Sequence, residues 1–114
     1  MGEDIVIATG VITGPEARGT VTIMRRREDG VTAYIADVWI APGAPDVRIF
    51  LSTDPGGDVT GAAAVDLGKT TALSGDLEFV VPPRVDVAAM GSLVVHCKVY
   101  SVTFGVAPLE HRAA

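Results

Sequence analysis

Residues Leu93 to Phe104, Leu-Val-Val-His-Cys-Lys-Val-Tyr-Ser-Val-Thr-Phe, constrain the fold more than any other part of the chain. Eight of the twelve are apolar, five are β-branched Val or Thr, and neither Gly nor Pro interrupts them. Such a run reads as a long central strand, or as two strands joined by a bulge. Side chains alternate along a strand, so Leu93, Val95, Cys97 and Val99 share one face while Val94, His96, Lys98 and Tyr100 share the other. The first set is apolar and is expected to face the core, which places the single cysteine inside and His96 on the opposite surface.

The rest of the chain supports a β-domain. Its 114 residues suit one core. Apolar residues make up 48% of them, which argues for a folded globule. Thirteen Gly and seven Pro, spread along the chain, punctuate it into short strands with tight turns and leave little room for helix.

In chain order, Ile5 to Ile12 is a short edge strand or ordered lead-in, and Gly14-Pro15 ends it. Ala17 to Arg27 alternates, with Val21 and Ile23 inward. Glu28-Asp29-Gly30 is a hairpin signal, because Gly adopts positive φ without steric penalty. Val31 to Ala41 puts Tyr34, Ala36, Val38 and Ile40 on one face and Ala33, Ile35, Asp37 and Trp39 on the other. Apolar groups on both faces mark a central strand. After Pro42 to Pro45, Asp46 to Ser52 points Val47, Ile49 and Leu51 inward.

Thr53 to Gly61 is a polar loop, and Ala62 to Leu67 a short strand. Asp76 to Val81 alternates Leu77, Phe79 and Val81 with acidic residues. Arg84 to Gly91 has room for one helical turn around Val85, Val87 and Met90. About seven to eight short strands with regular turns define an all-β, antiparallel β-sandwich or partly closed barrel. Its body spans 14–109, with a lead-in or edge strand at 1–13 and a tail at 110–114.

Composition also bears on partners. Net charge is −5, and the nine Lys and Arg are scattered except for Arg25 to Arg27, so nucleic acid is not an expected ligand. The Arg25 to Arg27 run flanks the hairpin signal, where alternation sends its members to different faces; a solvated strand end is favoured over an anion site. No run approaches a membrane span and the N-terminus lacks the basic character of a signal peptide. Arg outnumbers Lys seven to two, which hints at a GC-rich bacterial genome.

Chemistry concentrates at few positions. Cys97 cannot form an internal disulfide, which leaves a packed thiol, a reactive or ligating thiol, or an intermolecular bridge. A thiol acts as nucleophile or ligand only as thiolate, so activation needs a cation, a helix N-terminus or a metal close by. His96 and Cys97 diverge on a strand and share one ion only if a bulge re-aims one of them. Met24 and Met90 are candidate distal ligands to a cofactor held by Cys97, and otherwise core filler. Asp54 and Asp58 are candidate calcium ligands, though Asp and Gly are ordinary turn formers. No nucleophile elbow and no phosphate-binding Gly-rich loop occurs, which argues against hydrolase and nucleotide-dependent activities.

Several blocks follow one another in a familiar order: Pro45-Asp46-Val47-Arg48-Ile49-Phe50-Leu51-Ser52, Asp66-Leu67-Gly68-Lys69, Gly75 with Phe79 and Pro82, Val85-Asp86-Val87, Ser92-Leu93-Val94-Val95-His96-Cys97, and Val102 to Leu109. This succession, from roughly Gly14 to Leu109, resembles the DM-thirteen domain family, which occurs alone in bacterial membrane-anchored or exported proteins and beside DOMON domains elsewhere. The resemblance implies a β-sandwich with a characteristic cysteine, here Cys97. It implies electron transfer with a redox partner protein, in which that cysteine is a bare thiol or a ligand to a prosthetic group such as haem or a metal. It implies an extracytoplasmic or membrane-anchored setting. The chain departs from the family pattern at His96, where Trp is common, and at Phe79, where Tyr is common. The competing expectation is a protein- or glycan-binding module in which Cys97 is only a core residue.

Overall fold

The computed structural model describes residues 4–26 and 30–112. Nine strands form two antiparallel sheets packed face to face: β1 (Ile5–Ile12), β2 (Ala17–Arg26), β3 (Gly30–Ile40), β4 (Val47–Ser52), β5 (Ala64–Lys69), β6 (Ser74–Val81), β7 (Ser92–Cys97), β8 (Val102–Pro108) and β9 (Glu110–His111). One sheet has the order β6-β3-β2-β1-β9 and the other β5-β4-β7-β8. The architecture is therefore a sandwich and not a barrel. Residues 5–12 and 110–111, on either side of the expected body, both contribute to it, since β1 pairs with β2 on one side and with β9 on the other.

Alternation explains the core. Val21 and Ile23 of β2, Ile49 and Leu51 of β4, Leu77, Phe79 and Val81 of β6, and Leu93 and Val95 of β7 are all buried between the sheets. Each such aliphatic side chain contributes about 1.5–3 kcal/mol on burial, which is what ties the two sheets together. The expected helical turn is a short 3-10 turn at Val87–Ala89, capped by Asp86, whose carboxylate accepts a hydrogen bond from the Ala88 N–H at 3.2 Å. β2 and β3 pair antiparallel from Arg26 with Gly30 onward, and the turn expected at Glu28 to Gly30 falls largely on Arg27, Glu28 and Asp29, outside the described residues.

Three expectations are corrected. The stretch Leu93 to Phe104 is neither one long strand nor two strands joined by a bulge but a hairpin: β7 ends at Cys97, residues 98–101 turn, and β8 begins at Val102. Ser101 makes this turn possible by adopting φ +53°, a left-handed conformation unusual for a non-Gly residue. Val99 consequently sits at the hairpin tip, 60% exposed instead of in the core. In β3 the face assignment holds only from one end. Ala33 and Ile35 are inward, then an irregularity between Ile35 and Val38, with Asp37 at φ +54°, reverses the phase so that Val38 and Ile40 point inward instead. Asp76 braces this bulge by accepting the Asp37 N–H at 3.2 Å. Finally, the outward face of β7 is not a free surface, because Val94 (0% exposed) and His96 (8%) are both buried.

Candidate functional site

The face of β7 that carries His96 is covered by the polar loop after β4. Two serines hold that loop down. The Ser52 hydroxyl donates to the Asp58 carbonyl and accepts from the Asp54 N–H at 3.1 Å, while the Ser92 hydroxyl donates to the Asp54 carbonyl at 2.6 Å. Gly57 lies directly on the sheet at φ +90°; a Cβ there would fall 2.7 Å from Val106 Cγ2, so only glycine allows the loop to approach this closely. Since Val94 and Val106 are register partners, the loop seals the middle of the outward face.

Towards the 98–101 turn the seal opens into a cavity of about 420 Å³. His96, Phe50 and Thr103 come from the sheet, Val59 and Thr60 from the loop, and Lys98 from the turn. The imidazole meets the Phe50 ring edge-to-face, with centroids 5.7 Å apart. Its Nδ1 is 3.1 Å from the Thr103 hydroxyl, while Nε2 has no hydrogen-bond partner among the described residues. Burial lowers the His96 pKa below its ordinary 6.5, because the charged form loses hydration that nothing in the cavity replaces. The ring is therefore neutral at pH 7, with Nε2 serving as donor or lone-pair acceptor according to which way the Thr103 hydroxyl points.

A charged rim borders the cavity. Arg48 is the register partner of His96; it contacts Asp46 at 3.0 Å and Asp66 at 3.2 Å, and Lys98 reaches Asp66 at 3.9 Å.

Cys97, on the other side of the same strand, is 0% exposed and belongs to the aliphatic core. Its register partners are Val47 and Val102. The β7–β8 register does shift between Val95 and His96, but the shift takes up Phe104 on β8 and does not turn Cys97 towards His96. The two candidate ligands stay on opposite faces.

The remaining candidates are not brought to Cys97. Met90 is in the core but precedes β7, and the strand from Ser92 to Cys97 alone spans about 17 Å at roughly 3.4 Å per residue. Met24 follows the outward parity of β2, in the sheet opposite Cys97, so the full thickness between two sheets, about 10 Å, separates them. A haem held by Cys97 with either methionine does not fit this donor set. Asp54 and Asp58 spend their carboxylates inside the loop. Asp54 accepts the Asp58 N–H at 3.1 Å; Asp58 accepts the N–H of Thr60 at 2.9 Å and its hydroxyl at 2.6 Å, which lowers the Asp58 pKa below 3.8. Among the described residues no three His, Cys, Asp or Glu side chains stand close enough to share a metal ion.

Phe50, Val59, Thr60 and Thr103 were not singled out by sequence reasoning. One signal was available: β4 reads Val-Arg-Ile-Phe-Leu, and a large aromatic on its outward side implies that something covers that side.

Fold and site together define a two-sheet β-sandwich domain that offers a buried thiol and, behind it, a cavity with a neutral histidine. The chain matches the family model described as Electron transfer DM13 over residues 13–109, and it belongs to that family of electron-transfer domains. The matched span runs from β2 to β8 and includes His96, Cys97 and the covering loop. No curated protein and no solved structure matches the chain. No helix among the described residues is long and apolar enough to cross a membrane.

Proposed function

We propose that this domain is a non-hydrolytic accessory component of an extracytoplasmic redox or electron-transfer system, and that it engages its redox partner or prosthetic group at the His96 cavity. Membership of an electron-transfer family supports the redox role. The observation that carries the choice of site is the contrast between Cys97 at 0% exposure and His96 lining an open cavity with Nε2 unpartnered among the described residues. A thiol exchanges electrons with another thiol only by direct approach of the attacking sulfur, which a sealed core forbids. An imidazole nitrogen at a cavity wall is available to a donor, an acceptor or a metal complex. Cys97 acts as a redox thiol or ligand in this scheme only after the β7–β8 hairpin opens.

A second reading has its own support. Burial of Cys97 among aliphatic side chains is what a packing residue of a protein- or glycan-binding module would show. One experiment separates the two. Protein isolated without added cofactor is examined by absorption spectroscopy and metal analysis beside His96→Ala and Cys97→Ser, and its thiol is titrated with a disulfide reagent under native conditions. A bound chromophore or metal lost in His96→Ala and kept in Cys97→Ser supports the cavity. A signal lost only in Cys97→Ser, or a native thiol that reacts fast, moves the chemistry to Cys97. A colourless, metal-free and thiol-inert protein supports the binding module.

A further inference from the structure

At the end of the sandwich away from the β7–β8 hairpin, Arg25 and Arg112 line one recess. Arg25 continues the inward parity of Val21 and Ile23 along β2, but it lies where the strand runs past the core and is exposed. It lines a recess of about 240 Å³ whose walls include Ile7, Val31, Val85 and Val87. A second cavity, of about 500 Å³, shares Arg25, Val31 and Val85. Arg112, just beyond β9, also lines the first recess, placed by its backbone N–H bond to the Ile7 carbonyl at 3.0 Å. His111 also lines the recess, and its ring is fixed, since its Nε2 donates to the Met90 carbonyl at 2.6 Å.

Ion pairs engage three of the described cations. They are Arg26, Arg48 and Lys98, none of which lines the recess. Arg25 and Arg112 form no ion pair or side-chain hydrogen bond among the described residues. Asp86 also borders the recess, but it is not within ion-pair distance of either guanidinium, and it accepts the Ala88 N–H. Two arginines and four aliphatic side chains lining one recess match a ligand with a carboxylate at one end and an apolar body at the other.

We propose that this recess binds a small amphipathic carboxylate, with its head between Arg25 and Arg112 and its tail or ring against Ile7, Val31, Val85 and Val87. The volume is below the roughly 300–1,000 Å³ of pockets for drug-sized ligands, which restricts the ligand to a short chain or a single ring. This site is remote from His96 and does not rest on the electron-transfer reading.

The test is a titration of the intact protein with octanoate and benzoate, followed by chemical-shift changes or calorimetry. Acetate, octanol and inorganic phosphate serve as comparison probes. Octanoate is expected to bind saturably and more tightly than acetate, octanol or phosphate, with shifts at Ile7, Val31 and Val87. Arg25→Gln and Arg112→Gln should each weaken it about tenfold, or about 1.4 kcal/mol, while His96→Ala leaves it unchanged. Both arginines are exposed, so these variants should melt close to the wild type. Octanol binding as tightly as octanoate, phosphate binding equally well, unchanged affinity in both variants, or no saturation would each overturn the proposal.

Discussion

The two sides of β7 are buried by different means. On the Cys97 side, side chains of a second sheet interdigitate with Leu93 and Val95, and the result is aliphatic and closed. On the His96 side a loop supplies the cover, pinned by two serine hydroxyls and by the absence of a side chain at Gly57. A loop carries backbone polar groups that need partners, so it cannot pack as densely as a sheet and leaves space at its margin. Adjacent residues thus acquire opposite capacities. The sulfur has the more reactive chemistry but no access; the imidazole has access.

The strongest challenge to this contrast is Cys97→Asp. A carboxylate without a partner in the core should cost about 4 kcal/mol or more, enough to unfold a marginal domain in urea titration, whereas Cys97→Ser should cost about 1–3 kcal/mol. A Cys97→Asp protein that melts like the wild type would show that this side is not sealed. Next is Gly57→Val, which combines a positive φ with overlap on Val106 and should cost about 2–3 kcal/mol. Hydrogen exchange should then accelerate in the 53–60 loop beyond the global change, while the amides of β2 and β3 follow the global change alone. Ser52→Ala removes one latch and should cost about 1–2 kcal/mol, with the same local signature.

The smallest effect is in pH. Folded His96 holds a proton less readily than the unfolded chain, whose imidazole titrates near 6.5. The unfolded state therefore binds more protons as the solution is acidified below about 6.5, and stability falls from there down through the folded pKa. Asp58 and Lys98 line the same cavity, and Arg48, the register partner of His96, pairs with Asp46 and Asp66; of these Asp58 has its pKa lowered from 3.8, so its own loss of stability comes only at more acid pH. Thermal melts of wild type and His96→Gln across this range should converge towards low pH. Parallel curves would mean that the cavity is already wet enough to hydrate the imidazolium.

Strand alternation made most of the fold legible, because a half-buried strand must segregate its side chains whatever covers them. Turn chemistry was legible where Pro-Pro ended β6 and not at Lys98 to Ser101, where an ordinary serine adopts the left-handed conformation. The reversal of β3 at Asp37 was hidden for the same reason: a bulge at a non-Gly residue leaves no mark in composition. Periodicity placed His96 opposite Cys97 but carried no information about what lies over that face. Only the aromatic at Phe50 hinted at the cover. Arg25 was read within its own run of arginines, whereas its companion at the recess, Arg112, comes from the other end of the chain.

The two-residue pairing of β9 with β1 has a consequence for any shortened version of this chain. Cutting after Leu109 would strip Ala8 and Thr9 of their hydrogen-bonded neighbours and present bare amides along the rim of the larger sheet. Truncated molecules should then zip together through that rim, turning a terminal detail into a safeguard against self-association.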